Sequence, residues 1–132
     1  MASGSKGNCV IIEGGSSAIL IDAGLSAKEC LLRMERAGIE DADLVIEAIL
    51  EQVHLKEDVF QKLDTICNKE SIFASDTSTI PITDLASATK RPDKFIGMHF
   101  MNPVPMMKLV EIIKGLATSE ETFTATRDLS LK

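Results

Sequence analysis

No stretch of the 132-residue sequence approaches the roughly 18 consecutive apolar residues of a membrane span. Its opening, "MASGSKGN", has no apolar core of the kind a secretory signal carries. A cytoplasmic protein without a membrane partner is therefore expected. A basic stripe is also missing. Lys and Arg number 14 against 20 Asp and Glu, a net charge of -6. Nothing is there to displace counterions from a phosphate backbone, which excludes a nucleic-acid partner. The densest basic patch, "KRPDK" (90–94), reads as a solvated turn. The cysteines, Cys9, Cys30 and Cys67, are odd in number and widely spaced. No C-x-x-C or H-x-H pattern accompanies them, so no zinc site is expected and they read as reduced packing thiols. There are two histidines, His54 and His99. Internal repeats and low-complexity tracts are absent.

What remains fits one domain with an ordinary core. The hydrophobic fraction is 45% and the charged fraction 26%, both usual for a globular chain. "NCVIIE" (8–13), a Gly14-Gly15 turn and "SAILIDAG" (17–24) give a β-hairpin signal. Ser26 with Glu29 forms a capping box, and Ala27, Cys30, Leu31, Met34 and Ala37 follow at helical spacing until Gly38. A helix over 26–37 is expected. The near-continuous apolar run "ADLVIEAIL" (42–50) reads as a strand covered on both faces.

Leu55, Val59, Phe60, Leu63 and Ile66 mark a helix over about 54–67, and "SIFASD" (71–76) a further buried strand. A short helix near 82–88 is entered through Pro81. Strands at 94–101 and 107–115 follow, and Thr118 with Glu121 signals a last helix near 119–131. Strands alternating with helices imply an α/β sheet with parallel neighbours. No helix is expected within 102–118, so the last two strands should pair antiparallel.

If those two strands lie side by side, His99 and Glu111 can meet. A carboxylate beside imidazole favours the protonated ring and fixes its tautomer, which makes a usable general base. On spacing alone, the plainer reading is a satisfied core histidine and an unrelated surface glutamate. Ser78 and Thr79 follow the 71–76 strand, and Asn102 follows the next. Open α/β sheets bind ligands at such carboxyl ends, although these residue types also populate turns for their own sake.

Taken jointly, "DLVIEAILE", "KEDVFQKLD", "IFASDTSTIPIT", "ATKRPDKFIGMHFMNPVPMMKLVEIIKG" and "TSEETF" are similar to the second half of the NAD-binding domain of 3-hydroxyacyl-CoA dehydrogenases. The 3-hydroxybutyryl-CoA dehydrogenases of bacteria look nearest. The resemblance begins near Asp43. It implies a Rossmann-like, mostly parallel sheet flanked by helices. It implies that His99 is the general base on the substrate 3-hydroxyl and Glu111 its orienting partner. Ser78 would bond the substrate oxygen and Asn102 would contact nicotinamide or substrate. Glu51 and Lys56 match positions near the nicotinamide ribose. "SDTS" departs from the family's "SNTS": Asp76 brings a negative charge to the cofactor side.

The family's strand, G-x-G-x-x-G and helix unit, which takes the NAD pyrophosphate, has no counterpart here. The family's C-terminal helical domain has none either. Residues 1–40, "ASGSKGNCVIIEGGSSAILIDAGLSAKECLLRMERAGI" at their heart, instead resemble the opening of metallo-β-lactamase-fold hydrolases, without the H-x-H-x-D-H metal motif. His54 is isolated in "VHLKED". A single hybrid domain is expected, a chimera joined near "GIEDADL" (38–44). It would carry no bound cofactor and no native turnover. The alternative is an NAD-dependent 3-hydroxyacyl-CoA dehydrogenase that keeps NAD and acyl-CoA as partners. A metallo-hydrolase is the remote third reading.

Overall fold

A computed structural model describes residues 39–131 and, as backbone, residues 10–14 and 17–21. The expected helix over 26–37 with its Ser26/Glu29 cap, the Gly15 turn position, Gly38, Cys9 and Cys30 lie outside the described residues. Among the described residues, no helix is long and apolar enough to cross a membrane.

The described strands are β1 (Val10–Gly14), β2 (Ser17–Ile21), β3 (Leu44–Ala48), β4 (Ile72–Ser75), β5 (Phe95–Phe100) and β6 (Val110–Lys114). They form a sheet in the order β1-β2-β3-β4-β5-β6. β2 through β5 run parallel, while the β1–β2 and β5–β6 pairs are antiparallel. The helices are α1 (Val53–Ile66), α2 (Ile82–Ser87) and α3 (Glu120–Ser130).

Side chains alternate across each strand, so the two faces can be read by parity. On one face Val45, Phe73 and Phe95 pack against Phe60 and Leu63 of α1 and Leu85 of α2. Phe60 and Phe95 meet edge-on with centroids 4.5 Å apart. On the other face Leu44, Ile46, Ala74, Ile96 and Met98 are covered in part by Phe123 of α3. The apolar run at 42–50 follows from this arrangement, because β3 is buried on both sides. Cys67 packs in the first cluster. The helical face closes tightly over β5: a Cβ on Gly97 would lie 2.8 Å from Ile82 Cδ1 and 2.9 Å from Ile113 Cβ.

Four details differ from the sequence reading. Gly14 ends β1 in ladder with Ser17 instead of opening the turn. β6 begins at Val110 rather than 107, because β5 stops at Phe100 and the closing pair is Phe100↔Val110; Met107 and Leu109 are exposed. The cap of α3 is Ser119, which accepts from Thr122 N at 3.1 Å. Thr118 is taken by the sheet instead, donating to Phe95 O at 2.6 Å and accepting from Gly115 N at 2.8 Å. Finally, "KRPDK" is not wholly a solvated turn. Pro92–Lys94 form a 3-10 turn, but Arg91 is buried. Its Nε donates to Asp64 Oδ1 at 2.6 Å, its Nη1 to the carbonyls of Asn68 and Ser71, and its Nη2 to those of Asp64 and Cys67. The guanidinium therefore satisfies backbone groups that the carboxyl end of α1 leaves open.

Candidate active site

Parity places Glu47, Ser75, Gly97 and His99 on the same face of the sheet as α1 and α2. The carboxyl ends of β3, β4 and β5 then bring the chemistry together. His99 stands directly opposite Glu111 in the β5–β6 register, and the two side chains meet: Nδ1 lies 2.8 Å from Glu111 Oε2. A carboxylate only accepts, so the facing Nδ1 carries the proton and the neutral ring presents Nε2 as an acceptor. Ser78 Oγ lies 3.0 Å from that Nε2. The imidazole is 19% exposed and Glu111 48%, so the dyad is open on one side. A ring held in this way can take a proton at Nε2 while the carboxylate stabilises the resulting cation.

Ser78 belongs to the loop after β4, and Glu51 gathers that loop. Glu51 Oε1 accepts from Ser78 N at 3.0 Å, Thr79 N at 3.0 Å and Thr79 Oγ1 at 3.1 Å. Thr77 Oγ1 donates to the same oxygen. Burial pushes the Glu51 carboxyl up, but the Thr77 and Thr79 hydrogen bonds, the Lys56 charge and the Ser78 amide outweigh it and bring it down to about 2.

Lys56, on the first turns of α1, is fully buried. Its ammonium lies 2.6 Å from Glu47 Oε1, 3.2 Å from the Ile49 carbonyl and 3.4 Å from Glu51 Oε2. Glu47 is itself fully buried and accepts from Ile49 N and Ser75 Oγ, each at 2.6 Å. Sequence reading passed over Glu47. Its signal was a lone acidic residue within the apolar run of β3, since a charge buried on both sides needs a partner.

Asp76 immediately follows β4 and its Oδ1 accepts from Phe100 N at 2.8 Å, tying the end of β4 to β5 beside His99. Burial raises its carboxyl above the ordinary aspartate range, against the lowering effects of the Phe100 amide, His99 and Lys56. Asn102 lies exposed just beyond β5. His54 is exposed on the first turn of α1.

A family model described as the NAD-binding domain of 3-hydroxyacyl-CoA dehydrogenase matches residues 25–132. The chain is 55% identical over 92 residues to the 3-hydroxybutyryl-CoA dehydrogenase of Clostridioides difficile, covering 70% of this chain and 33% of that protein. It is 61% identical over 83 residues to a probable 3-hydroxybutyryl-CoA dehydrogenase of Bacillus subtilis, covering 63% of this chain and 29% of that one. The crystal structure of (S)-3-hydroxybutyryl-CoA dehydrogenase from Ralstonia eutropha superposes with a TM-score of 0.69 at 43% identity, over 79% of this chain and 41% of that chain. The sheet and its helices are thus a Rossmann-like α/β fold. The chain spans about a third of the length of the curated relatives it matches. The family match starts at residue 25, so it reaches back across the expected junction at 38–44 and takes in part of the hydrolase-like segment.

Proposed function

The chain belongs to the 3-hydroxyacyl-CoA dehydrogenase NAD-binding domain family, and from that premise we propose that it carries out NAD-dependent oxidation of the 3-hydroxyl of a short-chain acyl-CoA. The observation that carries this reading is the Ser78–His99–Glu111 alignment, with contacts of 3.0 and 2.8 Å. His99 Nε2 takes the hydroxyl proton as the C3–O bond becomes a carbonyl. Glu111 holds the ring's Nδ1–H and stabilises the imidazolium. With substrate present, Ser78 turns its one proton from Nε2 to the substrate oxygen, which leaves Nε2 free to accept and fixes that oxygen beside it.

The Ser78 hydroxyl and the His99 imidazole lie together at the carboxyl ends of parallel strands, where such sheets take their ligands, and they suit the nicotinamide end of the cofactor. NAD, when bound, supplies the acceptor for the hydride leaving C3. Glu51 and Lys56 shape the same end of the sheet through the 77–79 loop.

The test is NADH oxidation by the purified 132-residue protein in the presence of acetoacetyl-CoA. Turnover that falls about 10²–10⁴-fold in His99→Ala is expected, the usual contribution of a positioned base. A folded protein with no acetoacetyl-CoA-dependent oxidation defeats the proposal.

A further inference from the structure

Ser78 and Thr79 are exposed, yet the Ser78 hydroxyl is held at a definite place, 3.0 Å from His99 Nε2. Packing does not hold it there. The contacts that do converge on one oxygen: three consecutive residues, Thr77, Ser78 and Thr79, send four donors to Glu51 Oε1. Thr77 Oγ1 also accepts from Ile80 N at 3.0 Å, which closes the loop at its far end.

Glu51 is fixed from behind. Its Oε2 faces the buried Lys56 ammonium at 3.4 Å, and Lys56 is pinned by Glu47, which is pinned in turn by Ser75 Oγ. An unbroken series of polar contacts thus crosses the carboxyl end of the sheet, from β4 through β3 and α1 to the 77–79 loop, then to β5 and β6. Both Glu51 oxygens face partners from this chain.

We propose that Glu51 is a positioning residue: by gathering the 77–79 loop onto one carboxylate oxygen, it sets the Ser78 hydroxyl on His99 Nε2. The inference rests on the dehydrogenase reading for what that contact achieves, but the contact itself can be tested without turnover. A carboxylate is suited to the task because one oxygen can accept several charge-assisted hydrogen bonds, and Glu51 remains ionised throughout the physiological range.

The experiment is solution NMR of the whole chain, following the His99 imidazole nitrogens and the Ser78 and Thr79 amides in the wild type, Glu51→Ala, Glu51→Gln and Ser78→Ala. In Glu51→Ala the Ser78 and Thr79 amides should exchange with solvent about tenfold faster or more, as expected when hydrogen bonds to a charged acceptor are lost. The His99 Nε2 signal should move to where Ser78→Ala puts it, while the Nδ1 signal facing Glu111 holds. Glu51→Gln keeps the shape and one acceptor oxygen, so it should restore part of the Nε2 signal and serves if Glu51→Ala does not fold. An Nε2 signal unmoved in a folded Glu51→Ala, or, where that does not fold, wholly unmoved in Glu51→Gln, yet displaced in Ser78→Ala, overturns the proposal. Where turnover is measurable, Glu51→Gln should lower kcat in the same direction as Ser78→Ala, by a smaller factor. A change in the KM for NADH with kcat untouched also overturns it. Absence of turnover in the wild type, by contrast, strikes at the dehydrogenase reading and leaves the imidazole signals to decide the positioning role.

Discussion

Replacing Lys56 with methionine removes one charge from a pair whose side chains are both at 0% exposure and 2.6 Å apart. Glu47 would keep the Ile49 amide and the Ser75 hydroxyl, but no cation would remain against its charge in the core. Leaving one member of a buried pair uncompensated costs about 3–5 kcal/mol. Against a domain stability of roughly 5–15 kcal/mol, that is a large fraction. The pair itself gives no such stabilisation relative to neutral residues, because desolvation offsets most of the attraction. Adding Glu47→Gln to Lys56→Met should therefore recover about 2 kcal/mol: the amide oxygen still accepts from Ser75 or Ile49, and no buried charge is left. Urea unfolding followed by circular dichroism, extrapolated linearly with a common slope, reads all three differences. The reasoning fails if Lys56→Met costs less than about 1 kcal/mol, or if Glu47→Gln deepens the loss instead of relieving it.

Arg91→Ala should cost about 3 kcal/mol or more in the same assay, since it strips the partner from the buried Asp64 and unbonds carbonyls at the end of α1; Arg91→Lys should recover little, because an ammonium cannot reproduce the planar fork lying 4.6 Å from the Phe73 ring centroid. Gly97→Ala should destabilise by about 1–3 kcal/mol through overpacking against Ile82 and Ile113, and a thermal melt unchanged from wild type would contradict that. Asp76→Asn should raise Tm at pH 7. Burial raises the Asp76 carboxyl in the folded chain, so the native state binds its proton more tightly than the unfolded state. Stability from this group is then complete below the ordinary aspartate value of about 3.9 and is lost as pH rises through the raised one. Asparagine keeps an oxygen for Phe100 N–H, and its advantage should shrink as melts are taken down from pH 7 to pH 3; an advantage that grows on acidification refutes the assignment.

Elements with strong local signals were legible in the sequence. The helical period of Leu55, Val59, Phe60, Leu63 and Ile66 marks α1, and the covered run at 42–50 marks β3. What local pattern missed was decided by competition for the same group. Thr118 has the spacing of a cap, but the Phe95 carbonyl and the Gly115 amide claim its hydroxyl, so Ser119 takes the role. Arg91 stands in a charged run that looks solvated, yet the open carbonyls after α1 draw it inward. Such outcomes depend on which element docks nearby, and spacing along the chain does not carry that information.

The His99–Glu111 pairing shows the limit most clearly. Strands at 94–101 and 107–115 would close on a 101↔107 pair and set Leu109 across from His99. The observed closing pair, Phe100↔Val110, sets Glu111 there instead. A two-residue change keeps every side chain on its own face, because the strand period is two. Hydrophobic alternation is therefore blind to it: Val110 and Ile112 point into the second cluster in either register. The difference lies in whether the imidazole faces a leucine or a carboxylate that can hold its Nδ1–H. The pairing of His99 with Glu111 was legible through the family resemblance of "GMHFMNPVPMMKLVE" and not through the physics of either strand alone.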